Sequence, residues 1–171
     1  MKYAEIKYHD IANGLGVRTS LFVSGCTHHC KGCFNEIAWD FEYGEEFTER
    51  TIEEILESCE LVYVSGLTLL GGEPMEPCNQ RALLPLVKGF KERFPKKNIW
   101  CYSGYTYEKD ILNAEGQAHC EVTDEFLEYI DILVDGKFEQ DLYDISLKFK
   151  GSRNQRILKI HEEECPELYI E

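Results

Sequence analysis

The 171-residue chain is poor in positive charge, and it lacks long apolar runs, internal repeats and low-complexity stretches. Lysine and arginine number 18 against 32 aspartates and glutamates, for a net charge of −14. A protein that tracks nucleic-acid phosphates needs a basic surface, so this balance argues against nucleic acid as a partner. It fits a well-solvated acidic surface and a protein partner bearing a basic patch. No segment approaches the roughly 18 apolar residues of a membrane span. The first residues, Met1-Lys2-Tyr3-Ala4-Glu5-Ile6-Lys7, have no apolar signal-peptide core. These absences predict a soluble, cytoplasmic protein with no membrane partner. No linker divides the chain, and its length favours one domain over residues 1–171.

The common nucleotide and hydrolase motifs are missing too. Gly14-x-Gly16 has no third glycine and precedes a strand-like run, so it is no dinucleotide fingerprint. Gly71-Gly72 is not followed by Lys-Ser/Thr, which excludes a phosphate loop, and His161-Glu162-Glu163-Glu164-Cys165 is not a His-Glu-x-x-His zinc helix.

What the chain does have is cysteine, eight residues of it. Without a secretory leader these are expected to stay reduced, some of them serving a metal. Cys26, Cys30 and Cys33 fall within one short loop; Cys59, Cys78, Cys101, Cys120 and Cys165 are scattered and read as small buried hydrophobes.

Apolar patterning alternates strand and helix. Residues 17–24 (VRTSLFVS) read as a strand bounded by Gly16 and Gly25. Thr51-Ile52-Glu53-Glu54 reads as a capping box opening a helix. Residues 66–70 form a short apolar run that Gly71-Gly72 ends. Leu83, Leu84, Val87, Phe90 and Phe94 have helical spacing, with Pro85 expected to bend that helix near its start. Strands at 98–102, 131–134 and 156–160 and a helix at 123–129 complete the pattern. Such alternation predicts an α/β fold with a mainly parallel sheet. A full eight-stranded barrel takes about 250 residues, so an incomplete β/α barrel or an open sheet is expected. The motifs considered next all sit at carboxyl ends of strands, where parallel α/β folds gather their sites.

The cysteine loop, Ser24-Gly25-Cys26-Thr27-His28-His29-Cys30-Lys31-Gly32-Cys33-Phe34-Asn35, has the spacing C-x3-C-x2-C. Three thiolates from one loop can grip three corners of a cubane iron–sulfur cluster and leave the fourth iron open, since no fourth cysteine is near. Gly25 and Gly32 allow the backbone to curl around such a group. Zinc bound with help from His28 or His29, a redox dithiol at Cys30 and Cys33, and coincidental core cysteines are the competing readings.

The segment Asp10-Ile11-Ala12-Asn13-Gly14-Leu15-Gly16-Val17-Arg18 followed by this loop resembles the radical S-adenosylmethionine superfamily, and within it the glycyl-radical activases. Cys26, His28, Cys30, Gly32, Cys33 and Asn35 match the form found in the activases of anaerobic ribonucleoside-triphosphate reductase. The likeness runs from about residue 8 to residue 160. One departure is Gly32, which stands where many superfamily members carry an aromatic residue.

The resemblance implies a partial barrel with a [4Fe–4S] cluster on Cys26, Cys30 and Cys33, and S-adenosylmethionine held near Gly32 and Phe34. It implies that Gly71-Gly72-Glu73-Pro74 meets the methionine amino group, Gly71 and Gly72 through backbone and Glu73 in support. Ser103 would lie near the methionyl or ribose part, Asp135 near ribose hydroxyls, and Lys137 near a carboxylate. Arg18 and Arg153 are cofactor or partner contacts in this reading, with a surface loop the alternative for Arg153. The implied chemistry is reductive cleavage to methionine and a 5′-deoxyadenosyl radical, which takes a hydrogen atom from a glycine of the reductase subunit. A low-potential donor such as a flavodoxin would supply the electron. The cysteines are ligands, and no general acid or base is needed. Activation of another glycyl-radical enzyme, of the pyruvate formate-lyase type, and a non-enzymatic zinc-binding interaction module are the alternatives.

Overall fold

The computed structural model describes residues 1–161; Cys165 lies outside the described residues. The strands are β1 (Lys2–Asp10), β2 (Val17–Val23), β3 (Glu45–Glu46), β4 (Val64–Gly71), β5 (Asn98–Tyr102), β6 (Ile132–Asp135) and β7 (Arg156–Lys159). The α-helices are α1 (Glu49–Ser58), α2 (Pro77–Arg93) and α3 (Thr123–Glu128); 3-10 turns lie at Glu36–Trp39, after the cysteine loop, and at Gln140–Leu142, and a π-helical turn at Tyr107–Ile111. One sheet holds all seven strands in the order β3-β1-β2-β4-β5-β6-β7. Its centre, β2-β4-β5-β6, is parallel. The flanks are antiparallel, β3 and β1 on one side and β7 on the other, so the sheet is mixed. Hydrophobic patterning reports which residues are buried and carries no strand direction, so these flanks were not foreseen.

Helix boundaries shifted for identifiable reasons. Thr48 caps α1: its hydroxyl accepts the Thr51 N–H (3.3 Å), and the Thr51 hydroxyl accepts the Thr48 N–H (3.2 Å). The expected capping box at Thr51 is therefore the third helical residue of a box that opens at Thr48. α2 starts at Pro77, four residues before the expected Arg81, because proline at the first helical position loses no hydrogen bond. Pro85 lies inside the helix, which runs on to Arg93.

Strand register sorts the side chains onto two faces. Leu21, Val23, Leu67, Leu69, Ile99, Cys101, Leu133 and Leu158 form one core with the helices. α2 contributes Leu83, Leu86, Val87 and Phe90 to it, each fully buried. Burial of each such side chain stabilises the fold by roughly 1.5–3 kcal/mol. The opposite face carries Trp100, Ile132, Val134 and Ile157, with Tyr102 and Phe149 packed against them. Among the described residues no helix contributes to this second cluster. Loops lie over this face: Asn13 C=O accepts from the Thr68 hydroxyl (2.8 Å), and the Phe149 ring meets Trp100 edge-on at 5.5 Å.

Arg18 belongs to this loop-covered face and corrects an expectation. Its side chain has no solvent exposure. Nε donates to Thr68 Oγ1 (2.6 Å), Nη1 to Leu15 C=O (3.0 Å), and Nη2 to the carbonyls of Leu67 (2.8 Å) and Asn98 (3.0 Å). The guanidinium also lies 5.6 Å from the Trp100 ring. Burial lowers its pKa to about 10. Arg18 is a buried tie between β2, β4 and β5, and cannot reach a partner. Among the described residues no helix is long and apolar enough to cross a membrane.

Candidate active site: a cysteine loop locked to a glycine turn

The cysteine loop leaves the carboxyl end of β2. Gly25 turns it with φ of 95°, and a Cβ there would lie 2.2 Å from the Phe41 ring, so no side chain fits. The loop is then tied to the 3-10 turn. Gly25 N–H donates to Ala38 C=O (2.8 Å) and Cys26 N–H to Trp39 C=O (3.2 Å). Cys33 N–H closes back on Cys30 C=O (3.1 Å).

All three cysteines, with Gly32 and Phe34, line one cavity of about 430 Å³. Cys26 and Cys30 are buried, and Cys33 is partly exposed. Burial pushes the Cys26 thiol up to about 12 against the pull of the His28 and His29 N–H groups. Burial also raises Cys30, against the Lys137 ammonium and the Phe138 N–H. The Cys33 sulfur accepts the Asn35 N–H at 3.4 Å. Each sulfur thus has a backbone donor suited to a thiolate, while burial favours the protonated form of Cys26 and Cys30 without a metal. A metal displaces those protons outright. Among the described residues, no three His, Cys, Asp or Glu side chains stand close enough to share one ion. A cubane asks for less convergence, because each thiolate meets a different iron. The donor set therefore fits an iron–sulfur cluster better than a closed single-zinc site.

The turn after β4 is fastened to this loop by its backbone. Gly72 N–H donates to Val23 C=O (2.7 Å) and Glu73 N–H to Gly25 C=O (2.8 Å). A Cβ on Gly72 would sit 2.6 Å from the Gly25 carbonyl oxygen, so the two segments approach this closely only with glycine. Gly71, Gly72 and Glu73 line the same cavity. Glu73 is almost fully buried, and both of its oxygens are engaged. Oε1 accepts the Met75 N–H (2.9 Å), Oε2 accepts the Gly104 N–H (2.7 Å), and His28 Nε2 lies 3.1 Å from Oε2. Glu73 is thus a brace between the turns after β4 and β5. Pro74 is buried behind the turn and does not line the cavity.

Ser103 sits at the end of β5 on the cavity wall, its hydroxyl accepting the Tyr105 N–H at 3.0 Å. Asp135 departs from its expected role. Its carboxylate is 1% exposed and accepts from Arg156 Nε (2.9 Å), from Arg156 Nη2 and from the Tyr107 N–H (2.9 Å). It offers the main cavity no free oxygen; Gly136 and Phe138 line the cavity from that segment. Lys137 is exposed, beside Cys30, on a neighbouring polar pocket. Arg153 is a surface residue paired with Asp144 at 3.3 Å.

Several site residues escaped the sequence. Glu76, at the N-cap of α2, accepts from the Thr27 N–H (2.8 Å), the Thr27 hydroxyl (2.6 Å) and the Tyr105 hydroxyl (3.3 Å). Asn79 Nδ2, one turn on, donates to Ser24 C=O (3.0 Å) and Glu73 C=O (2.9 Å). The start of α2 thereby frames the cysteine loop with buried polar side chains. The available signal was the Glu76-Pro77 pair, an acid before a proline at a helix start.

The family described as a 4Fe-4S single cluster domain matches residues 12–158. An anaerobic ribonucleoside-triphosphate reductase-activating protein of Pasteurella multocida is 44% identical, covering 93% of this chain and 98% of its own. The protein of that name in Enterobacteria phage T4 is 40% identical over 92% of this chain and 93% of its own, and that of Escherichia coli K12 is 41% identical over 91% and 96%. The chain belongs to the family of anaerobic ribonucleoside-triphosphate reductase-activating proteins and carries their 4Fe-4S single cluster domain.

Proposed function

We propose that this chain is a cytoplasmic activase that reductively cleaves S-adenosylmethionine at a [4Fe–4S] cluster and generates a glycyl radical on an anaerobic ribonucleoside-triphosphate reductase. The observation that carries this reading is the double link from Gly72 and Glu73 N–H to Val23 and Gly25 C=O. It makes the three-cysteine loop and the glycine turn one wall of one cavity. The sheet is read as a partial barrel of the radical S-adenosylmethionine type, with helices on its outer face and the cavity on its inner, loop-covered face.

The cluster, when bound, supplies one electron and an open iron to the sulfonium cofactor. Cys26, Cys30 and Cys33 would hold the cluster through their thiolates. Gly71 and Gly72 offer backbone to the methionyl end, and Glu73 keeps them in place through the Gly104 N–H. Ser103 stands on the same wall. Tyr102, Phe138 and Phe149 line the interior and exclude water. Phe34, 80% exposed at the same cavity, faces the side from which a partner's glycine segment approaches. A low-potential donor of the flavodoxin kind supplies the electron.

The test is anaerobic reconstitution with iron and sulfide, then reductant, S-adenosylmethionine and the reductase subunit. A brown protein, 5′-deoxyadenosine and a partner-dependent glycyl signal in electron paramagnetic resonance are expected. A signal only with a pyruvate formate-lyase-type subunit reassigns the partner. A colourless protein holding one zinc ends the reading.

A further inference from the structure

The indole of Trp39 has an unmet hydrogen bond in the cysteine cavity. Trp39 lines that cavity together with Cys26, Cys30 and Cys33. Its Nε1 is buried and has no hydrogen-bond partner among the described residues. Indole nitrogen is a donor only, so what it lacks is an acceptor. Buried donors without partners are rare in folded proteins, and each one calls for an explanation.

The ring is held firmly. Its own carbonyl accepts the Cys26 N–H at 3.2 Å. Its plane stacks on His29 with centroids 4.6 Å apart and an angle of 13°. Trp39 also ends the 3-10 turn that follows the third cysteine. The indole therefore stands at a fixed place on the wall of the cavity that the three cysteines share.

We infer that Trp39 donates its indole N–H to a sulfur of the bound cluster and thereby raises the cluster's reduction potential. This rests on the cluster reading given above. Each reduction step adds negative charge to the sulfurs, and a donor aimed at one of them stabilises the reduced form more than the oxidised. The backbone donors at Cys26, Cys30 and Cys33 act in the same sense. Trp39 adds a side-chain donor to them and acts as a positioning and tuning residue; it does not react.

The experiment compares wild type with Trp39→Phe, which keeps the stacked ring and deletes the N–H. Both are reconstituted anaerobically, matched for iron content and titrated for midpoint potential without S-adenosylmethionine. The expected result is a more negative potential, with about a tenfold fall in the ratio of reduced to oxidised cluster at a fixed poise, equivalent to about 59 mV for one electron. An unchanged potential overturns the inference. A shift that emerges only when S-adenosylmethionine is added also overturns it, by assigning the donor to the cofactor.

A second measurement uses wild type labelled with 15N at the indole nitrogens, so a variant that loads poorly does not blunt the test. Pulsed electron paramagnetic resonance of the reduced cluster should show 15N coupling. The other tryptophan, Trp100, does not line the cavity. No coupling in a loaded wild type overturns the inference and leaves the cluster reading standing. A wild type that takes up no cluster at all sinks both.

Discussion

Glu76 accepts two hydrogen bonds from Thr27, one from its backbone N–H and one from its hydroxyl, on the same carboxylate oxygen. The contact joins the first residue past Cys26 to the N-terminus of α2, 49 positions away in sequence. A carboxylate at a helix N-terminus is favoured by the helix dipole, so this one is held at both ends. Glu76→Ala leaves the Thr27 donors without their acceptor. The expected cost is about 2 kcal/mol, together with weaker retention of iron. Chemical denaturation and iron analysis measure the two effects. A variant with unchanged stability and full iron content would show that the brace is dispensable.

On the proposed reading, Cys30→Ala removes the buried middle ligand of the cluster. Loss of the cluster chromophore and of S-adenosylmethionine cleavage is expected, with the apo fold retained. The fold should survive because Cys30 lies outside the main helix-side core. Absorbance, circular dichroism and 5′-deoxyadenosine assays separate these outcomes. Cleavage at the wild-type rate would refute the ligand assignment.

Arg18→Met tests whether Arg18 is a buried tie between strands. The variant strips buried hydrogen bonds from Thr68 Oγ1 and from the carbonyls of Leu15, Leu67 and Asn98. A loss of about 3 kcal/mol is expected, with partner affinity per folded molecule unchanged. Thermal melting and a binding titration check it. Weakened partner binding at full stability would restore Arg18 to the surface role first expected of it.

The cluster-free chain should lose stability in alkali. Burial raises the pKa of Cys59, raises that of Cys101 well above 9, raises that of Tyr102, and takes Tyr105 to about 12. A raised pKa means that the folded state binds the proton more tightly than the unfolded state. The stabilisation is complete below the unfolded values of 9 and 10 and fades as pH climbs through the folded values. Under reducing conditions the melting temperature should fall steadily from about pH 9 to pH 11. A flat profile over that range would contradict the burial of these groups.

The site was legible where its chemistry is local. Cys26, Cys30 and Cys33 lie within eight positions of one another, and Gly71-Gly72 ends an apolar run, so spacing alone brings them to notice. Arg18 and Asp135 were misread because charge suggests contact with solvent or ligand. Their partners, Thr68 and Arg156, lie 50 and 21 positions away. Glu76, Asn79 and Trp39 were missed for the same reason: each acts on the cysteine loop from a separate element.

By itself the sequence determined the three-cysteine spacing and the alternation of apolar runs, since residue spacing and side-chain periodicity are properties of neighbours along the chain. Only the tertiary structure decided strand direction, the burial of Arg18, the pairing of Asp135 with Arg156, and the closeness of Gly72 to Gly25 that leaves no room for a side chain. Those outcomes depend on which distant segments exclude water together, and desolvation is set by the assembled fold.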